Sequence, residues 1–415
     1  MQRFLPFILK LNTKESISLL LILLLLFISF MSKAQVSAPL KPIICYENGE
    51  NQKSHIAFDR SKFRMQKLSE FEVTYEGVPQ EAVKAFDYAV QIWESLLPSA
   101  VPIRVRVKWA SLEESSLASS GASKIFRDFH SRALKNVWYP VPLAEKIVGR
   151  DLNETSDPDI NITLNSNVEW YFGTDGNTFE NYIDFVSIVL HELAHGLGII
   201  STAEVIDVNG TLRESDYLLI YDYFLENRDR IRLSSHKSPS KELLREFTSD
   251  DLYFHGQKAA LGYNNRYPKI FAPINFDAGS SISHLDEDAF PPGDPNSLMS
   301  PRFARGEAIH DPGQVLLGIL SDIGWQEESN LNDKNDVILF PNQSQGIFTL
   351  SFPDEIGSVE IRIIDVTGRE IAGLKDRILN RNQMRLDLSV LSNGLYQVII
   401  KSWMGNFNKK LIILN

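Results

Sequence analysis

The stretch VLHELAHGLGIIS, Val189 to Ser201, constrains this chain more than any other. Residues four apart on a helix share a face, so His191 and His195 would turn two imidazoles toward one divalent ion. Glu192 projects beside that face. The helix is expected to start near Asp184, an acceptable N-cap, and to end at Gly196 or Gly198, where glycine tolerates a sharp exit. Chance would place this five-residue pattern in only about one sequence in a hundred of this histidine content. The motif is therefore weighed as a site, against the plainer reading of a two-histidine structural face.

A catalytic zinc takes three protein ligands and keeps one position open, so two histidines are not enough. Ser201 is a poor third ligand, because its hydroxyl is a neutral and weak donor. Downstream stand His236, His255, His284 and His310. His236 lies in LSSHKSPS, which reads as an exposed loop. His255 sits among aromatics and reads as a packing or surface residue. His310 precedes a helix start, where a structural hydrogen bond is the simpler role. His284 stands in GSSISHLDEDAF, with Met299 fifteen positions later in SLMSP. Glu214, nineteen residues after His195, is a competing ligand at the spacing of a glutamate from a second helix.

The rest of the chain supplies a frame for such a helix. With 415 residues there is room for two or three domains. FEVTYEG (Phe71 to Gly77) alternates as a strand, and Pro79 then opens a helix whose Val83, Phe86, Val90, Trp93 and Leu97 form one apolar stripe. VPIRVRVKWA (Val101 to Ala110) and DINITLN (Asp159 to Asn165) alternate as strands with one buried face. The second of these is a candidate edge for pairing with an extended peptide. HDPGQVLLGILSDIGW (His310 to Trp325) reads as a closing helix, with Asp311 and Pro312 at its start and Gly324 at its end.

A formal charge of −11, with no basic run and no Gly-rich phosphate loop, excludes nucleic acid as an expected partner. At the N-terminus, Arg3, Lys10 and Lys14 precede an apolar run from Ile17 to Met31. Ser32 and Ala34 then fit the small-residue positions of a signal-peptidase site. Residues 1–34 are thus expected to be a signal peptide, because the run is short for a membrane span of about 20 residues. No later segment is apolar enough to span, so no transmembrane anchor is expected after cleavage. Residues 35–70 are polar and weakly patterned, an N-terminal arm or pro-segment. Cys45 is the single cysteine, so no intramolecular disulfide is available. A free thiol commonly packs as a small hydrophobe. A thiolate in a pro-segment would also be able to occupy a zinc and hold the site latent.

HELAHGLG, then SHLDE, then SLMSP resemble the leishmanolysin-like branch of the metzincin zinc proteases. The resemblance is specific over Phe185 to Gly198 and Ser280 to Pro301, and over Phe71 to Asn165 it is one of element order. It departs in a longer gap between His195 and His284, and in Leu285 where an aromatic is common. It implies an α+β catalytic domain at 71–325: a twisted sheet, an active-site helix and a C-terminal helix. It implies one catalytic Zn2+ on His191, His195 and His284, Glu192 as general base toward zinc-bound water, and Met299 as the turn methionine. The implied activity is hydrolysis of peptide bonds in a protein or peptide substrate. A calcium ion is a further candidate cofactor, with Asp286, Glu287 and Asp288 as its acids, although an acidic run also reads as solvated surface. The alternative from another class is a non-catalytic, zinc-containing cell-surface or adhesion protein.

After a polar linker at 326–336, the last residues read as short strands between Gly, Asn and Asp turns, a small β-sandwich at 337–415. FPNQSQGIFTL, VEIRIIDVTGREI, LDLSVLSNGLYQVII and KKLIILN resemble the C-terminal sorting domain of type IX secretion substrates. Phe340 and Gln343 stand where that family often has Tyr and Pro. The resemblance implies the type IX machinery as a partner. It also implies passage through the periplasm to the outside, or to the outer-membrane surface, of a Gram-negative bacterium.

Overall fold

The computed structural model describes residues 36–58, 67–154, 156–326, 337–340, 343–352, 358–378, 383–402 and 405–414. The expected signal peptide at 1–34, and the linker at 326–336 apart from its first residue, lie outside them. The chain divides into two units, Met1–Trp325 and Gln326–Asn415. No described helix is long and apolar enough to cross a membrane.

The first unit is built on a six-stranded mixed sheet. In chain order its strands are β2 (Ile43–Ile56), β3 (Phe71–Glu76), β4 (Ile103–Ala110), β5 (Ser116–Ala122), β8 (Ile160–Asn165) and β17 (Arg302–Ile309). Their spatial order is β17-β2-β5-β8-β4-β3. The β3, β4 and β8 strands run parallel, with Phe71 opposite Ile103 and Val105 opposite Ile160; β5 is antiparallel to β8. Helix α1 (Gln80–Leu96) makes the crossover from β3 to β4. Ile103, Val105 and Val107 are buried while Arg104, Arg106 and Lys108 are not, the period-two pattern of a sheet with one covered face. Ala82, Ala85, Phe86, Ala89 and Trp93 of α1 join the same core.

Helix α3 (Phe185–Leu197) carries the motif, and α2 (Val141–Val148) precedes it. Every residue of α3 is buried, as expected of a helix apolar on all sides. The Asp184 side chain caps it, accepting from Ser187 N at 2.8 Å. Gly198 ends it at φ +128°, a backbone region that side chains disfavour. Inside the helix, a Cβ on Gly196 would lie 2.4 Å from Ile160 Cγ2, so glycine lets α3 approach β8. Trp93 Nε1 donates to Leu190 O (3.3 Å) and Trp325 Nε1 to Leu197 O (2.7 Å). The motif helix is thereby tied both to α1 and to the end of the closing helix α6 (Gly313–Ile323).

Two further sheets belong to this unit. In the four-stranded one, β1 (Val36–Pro39), β6 (Lys124–Arg127), β7 (Val137–Pro140) and β13 (Leu218–Leu219) lie in that order. In the other, β14 (Leu225–Asn227), β15 (Leu252–Phe254) and β16 (Lys269–Ile270) are antiparallel neighbours. Short pairs are made by β9 (Trp170–Tyr171) with β10 (Ile183–Asp184) and by β11 (Glu204–Ile206) with β12 (Asn209–Thr211). Helices α4 (Lys241–Phe247) and α5 (Gln257–Gly262) fill the region between α3 and His284.

Strands β1 and β2, from the arm or pro-segment expected at 35–70, pair into the unit's sheets. Only Ile43 and Cys45 of β2 are buried, and its polar C-terminal half is held by backbone pairing with β17 rather than by an apolar face. Strand β8, the candidate edge for a peptide, is interior, with β4 on one side and β5 on the other. Alternation reports which face of a strand is covered and is silent about its edges.

The second unit is all strand among its described residues. A three-stranded sheet holds β18 (Ile338–Phe340), β20 (Ile347–Ser351) and β23 (Gln383–Asp387). A five-stranded sheet holds β19 (Gln343–Ser344), β21 (Ser358–Asp365), β22 (Glu370–Ile378), β24 (Gly394–Ser402) and β25 (Gly405–Ile413). Phe348, Leu350, Ile361, Val398, Ile400 and Leu411 are buried in its own core.

Candidate metal centre

His191 and His195, one helical turn apart, are met by His284 from the segment beyond β16. Their Nε2 atoms converge: 3.0 Å between His195 and His191, 3.2 Å from His284 to each. Each ring is oriented through its other nitrogen. Nδ1 of His191 lies 2.7 Å from Leu298 O, that of His195 2.5 Å from Ile199 O, and that of His284 2.7 Å from Ser280 O. A backbone carbonyl can only accept, so Nδ1 carries the proton and each Nε2 keeps its lone pair. Burial holds the rings neutral, first by desolvation: His191 is pushed down to about 3, His284 to about 4, and His195 well below its usual value.

Three lone pairs facing one another at this distance repel unless a cation lies among them. Tetrahedral zinc, with Zn–N of ~2.0–2.1 Å, would set its nitrogens ~3.3 Å apart. The residues present therefore fit a zinc ion.

Glu192 is completely buried and neither carboxylate oxygen has a well-formed hydrogen bond. Desolvation pushes its carboxyl well above the ordinary range, the nearby Cys45 thiol offsetting part of this. An orphaned buried carboxylate calls for an explanation, and a role in chemistry is one. Its backbone carbonyl is fixed by Ser120 Oγ of β5 at 2.5 Å. The ring of Phe303 meets His191 edge-on, centroids 5.1 Å apart.

Cys45 is buried, as a free thiol that packs as a small hydrophobe would be. Its sulfur lies within 4.8 Å of donor atoms of both His191 and Glu192. Burial raises its thiol well above the usual range, with Glu192 adding to the effect. The strand that carries it explains this position. In β2, Ile43 to Tyr46 pair antiparallel with β5, Cys45 opposite Ala118, while Tyr46 to Ile56 pair with β17. Strand β2 thus joins the sheet edge beside α3 to the strand that follows the methionine turn. Arg305 of β17 clasps Glu47 of β2 through Nε (2.5 Å) and Nη2 (3.1 Å). All three histidines and Glu192 are without solvent exposure under this cover.

The other named residues sit as follows. Met299 is buried in the turn Ser297–Met299, whose Leu298 carbonyl orients His191; Leu285 N donates to Met299 O at 2.8 Å. Glu214 is not part of the cluster: its carboxylate accepts from Ser215 Oγ and its carbonyl from Trp138 Nε1. His310 Nε2 bonds Asp184 Oδ1 at 2.8 Å, so it serves the cap of α3. His255 stacks on Tyr267, ring centroids 3.8 Å apart. His236 lies in a loop between exposed Ser235 and Lys237, its own side chain partly covered and 3.4 Å from Glu246. Asp286 accepts from Ala289 N and pairs with Lys269, Glu287 is half-buried and Asp288 exposed; these acids form no metal-sized cluster among the described residues. The carbonyls of Ile199, Ser280 and Leu298 had no signal in the sequence, since any residue type supplies one.

No curated protein matches this chain. Residues 133–255, which include α3, match a family model described as SPBPB7E8-like. Among solved structures, one similar chain is a DUF3244 family protein with an immunoglobulin-like β-sandwich fold from Bacteroides vulgatus. It is 13% identical, covers 19% of this chain and 86% of its own, and has a TM-score of 0.17. Another is the BSP domain of a biofilm associated protein, 9% identical, covering 19% of this chain and 14% of its own, also at 0.17. Neither score carries a structural argument. Residues 338–414 match the secretion system C-terminal sorting domain. The chain therefore ends in a type IX sorting domain, which implies interaction with that secretion machinery and a place outside the cell or on its outer-membrane surface.

Proposed function

We propose that the first unit is a metzincin-like zinc endopeptidase, exported through the periplasm of a Gram-negative bacterium and held latent by its own N-terminal strand. The observation that carries this reading is the convergence of three oriented Nε2 lone pairs beside an unpaired, buried glutamate. When bound, zinc would polarise a peptide carbonyl and lower the pKa of water toward ~7. His191, His195 and His284 would hold it, each locked by a carbonyl behind the ring. Glu192 would take the proton of the attacking water and return it to the leaving amine. Strand β5 would offer its edge to an extended substrate once β2 has left. In the described state β2 holds that edge and Cys45 lies against the catalytic pair.

A second reading has one observation in its favour. Cys45 beside a fully covered three-histidine cluster resembles a closed structural zinc site, which needs no general base. Casein hydrolysis by the full chain, by Cys45→Ala and by Glu192→Ala separates the two. The endopeptidase reading expects Cys45→Ala to hydrolyse faster than the parent. It expects Glu192→Ala to keep its zinc and lose about 10²–10⁴ in rate after the same activation. A Cys45→Ala variant that loses zinc and gains no activity supports the structural site.

A further inference from the structure

A second cavity, of about 470 Å³, is lined by Arg228, Arg230, Tyr253, His255, Tyr263, Arg266, Tyr267, Lys269 and Ala289. Its walls are tyrosine rings and its charges are all of one sign, on a chain whose formal charge is −11. Such a lining is mostly apolar ring surface bordered by arginine and lysine donors, so it suits an apolar or aromatic group that carries anionic charge beside it. Three of the cations are held in place by carboxylates outside the lining. Arg228 Nε bonds Asp251 at 2.7 Å, Arg230 Nε bonds Glu226 at 2.8 Å, and Lys269 Nζ bonds Asp250 at 2.7 Å. Both arginines spend Nε on these pairs and keep their Nη donors outside them. Arg266 instead lies over the Tyr263 ring, 4.3 Å from its centroid, with no carboxylate within ion-pair distance among the described residues. His255, nearly fully buried at 6% side-chain exposure, has its Nδ1 3.5 Å from Glu226 Oε2 and its ring tilted by 32° against Tyr267.

This cavity is joined to the metal centre by backbone. Asp286 N donates to Lys269 O at 3.1 Å and Phe271 N to His284 O at 2.9 Å. Lys269 and Phe271 are two residues apart, roughly 7 Å along a strand. The segment that carries His284 is thus paired with the strand that supplies Lys269 to the cavity wall.

We propose that this cavity binds an acidic peptide segment, an apolar or aromatic side chain lying on the tyrosine rings and flanking carboxylates on Arg266, Arg228 and Arg230. That this segment belongs to a substrate rests on the endopeptidase reading; that the cavity takes an acidic peptide does not.

Fluorescence anisotropy of the full chain tests it, with fluorescein-labelled Glu-Glu-Tyr-Glu-Glu, its Gln-Gln-Tyr-Gln-Gln counterpart, and a heparin-derived hexasaccharide as competitor. The acidic peptide is expected to bind at least tenfold more tightly than the neutral one. Arg266→Glu should weaken it about tenfold and Arg266→Lys should restore most of the loss. Equal binding of the two peptides, or an unchanged affinity in Arg266→Glu with retained folding by circular dichroism, overturns the proposal. So does the absence of binding by either peptide. His284→Ala, made in the Cys45→Ala background, separates this from the metal chemistry: it should abolish the hydrolysis that Cys45→Ala shows and leave the anisotropy titration unchanged. Acid-selective binding by a chain that hydrolyses nothing even with Cys45 replaced supports the cavity and removes the endopeptidase.

Discussion

Asp184 shows how much of the centre depends on a residue that touches no candidate ligand. Its carboxylate accepts from Ser187 N and Oγ, from Thr178 Oγ1 and from His310 Nε2, all in a buried setting. Replacing it with alanine removes a cap, worth about 1–2 kcal/mol, and leaves His310 and Thr178 without this partner. Asp184→Ala should lower the unfolding free energy by about 2–4 kcal/mol in urea titration, whereas His310→Ala alone should cost less. At this scale the helix pair was legible in the sequence, because a four-residue spacing is itself a geometry. The third histidine is separated from His195 by 89 positions, and no periodicity spans such a distance. Only the resemblance carried by the SHLDE and SLMSP segments pointed toward it. Cys45 was legible as a lone thiol, but its nearness to Glu192 comes from strand pairing that a polar stretch does not announce.

Among elements, the contact of α3 with β8 is the tightest constraint. A methyl group on Gly196 would meet three atoms of Ile160 at 2.4–2.8 Å, with a sheet behind them. Gly196→Ala is expected to cost about 1–3 kcal/mol and to displace His195, so metal affinity should fall with stability. Gly196→Ala together with Ile160→Val should recover part of both, as read by thermal melts and zinc titration. Wild-type melting and affinity in the single variant would contradict the packing described. Strands β3, β4 and β8 were readable from alternation because one face of each is buried. Strands β2 and β17 were not, since much of β2 is polar and the pairing between the two carries register shifts. Strand β8, expected as an edge, is interior, as is β5, which lies between β2 and β8.

For the whole molecule, buried acids make the first unit sensitive to pH. Desolvation raises Glu145 from 4.5 to about 7, Glu307 to about 7, and Asp222 from 3.8 to about 6. A carboxyl whose folded pKa is raised binds its proton more tightly when folded. Its stabilisation is therefore complete below the unfolded pKa near 4, and is lost as pH rises toward 7. Asp175, lowered to about 2 by its Tyr171 and Asn177 hydrogen bonds, acts in the opposite sense only below about pH 4. His191, His195 and His284, held below the usual imidazole range, act in the opposite sense as pH falls below about 6.5, so the acids are read by difference. With a chelator present throughout, the parent should lose more stability between pH 5 and pH 7.5 than Glu145→Gln does, as read by urea midpoints; an equal change in the two chains would contradict the account. The unit boundary after Trp325 and the sorting tail were both legible, because a polar stretch interrupts the apolar pattern and the tail carries its own motifs. The central claim remains the three-histidine centre, and metal analysis of the purified full chain tests it most directly. The account predicts one zinc per chain in the parent and in Glu192→Ala, and far less than one in His284→Ala. A full complement of zinc in His284→Ala would contradict it.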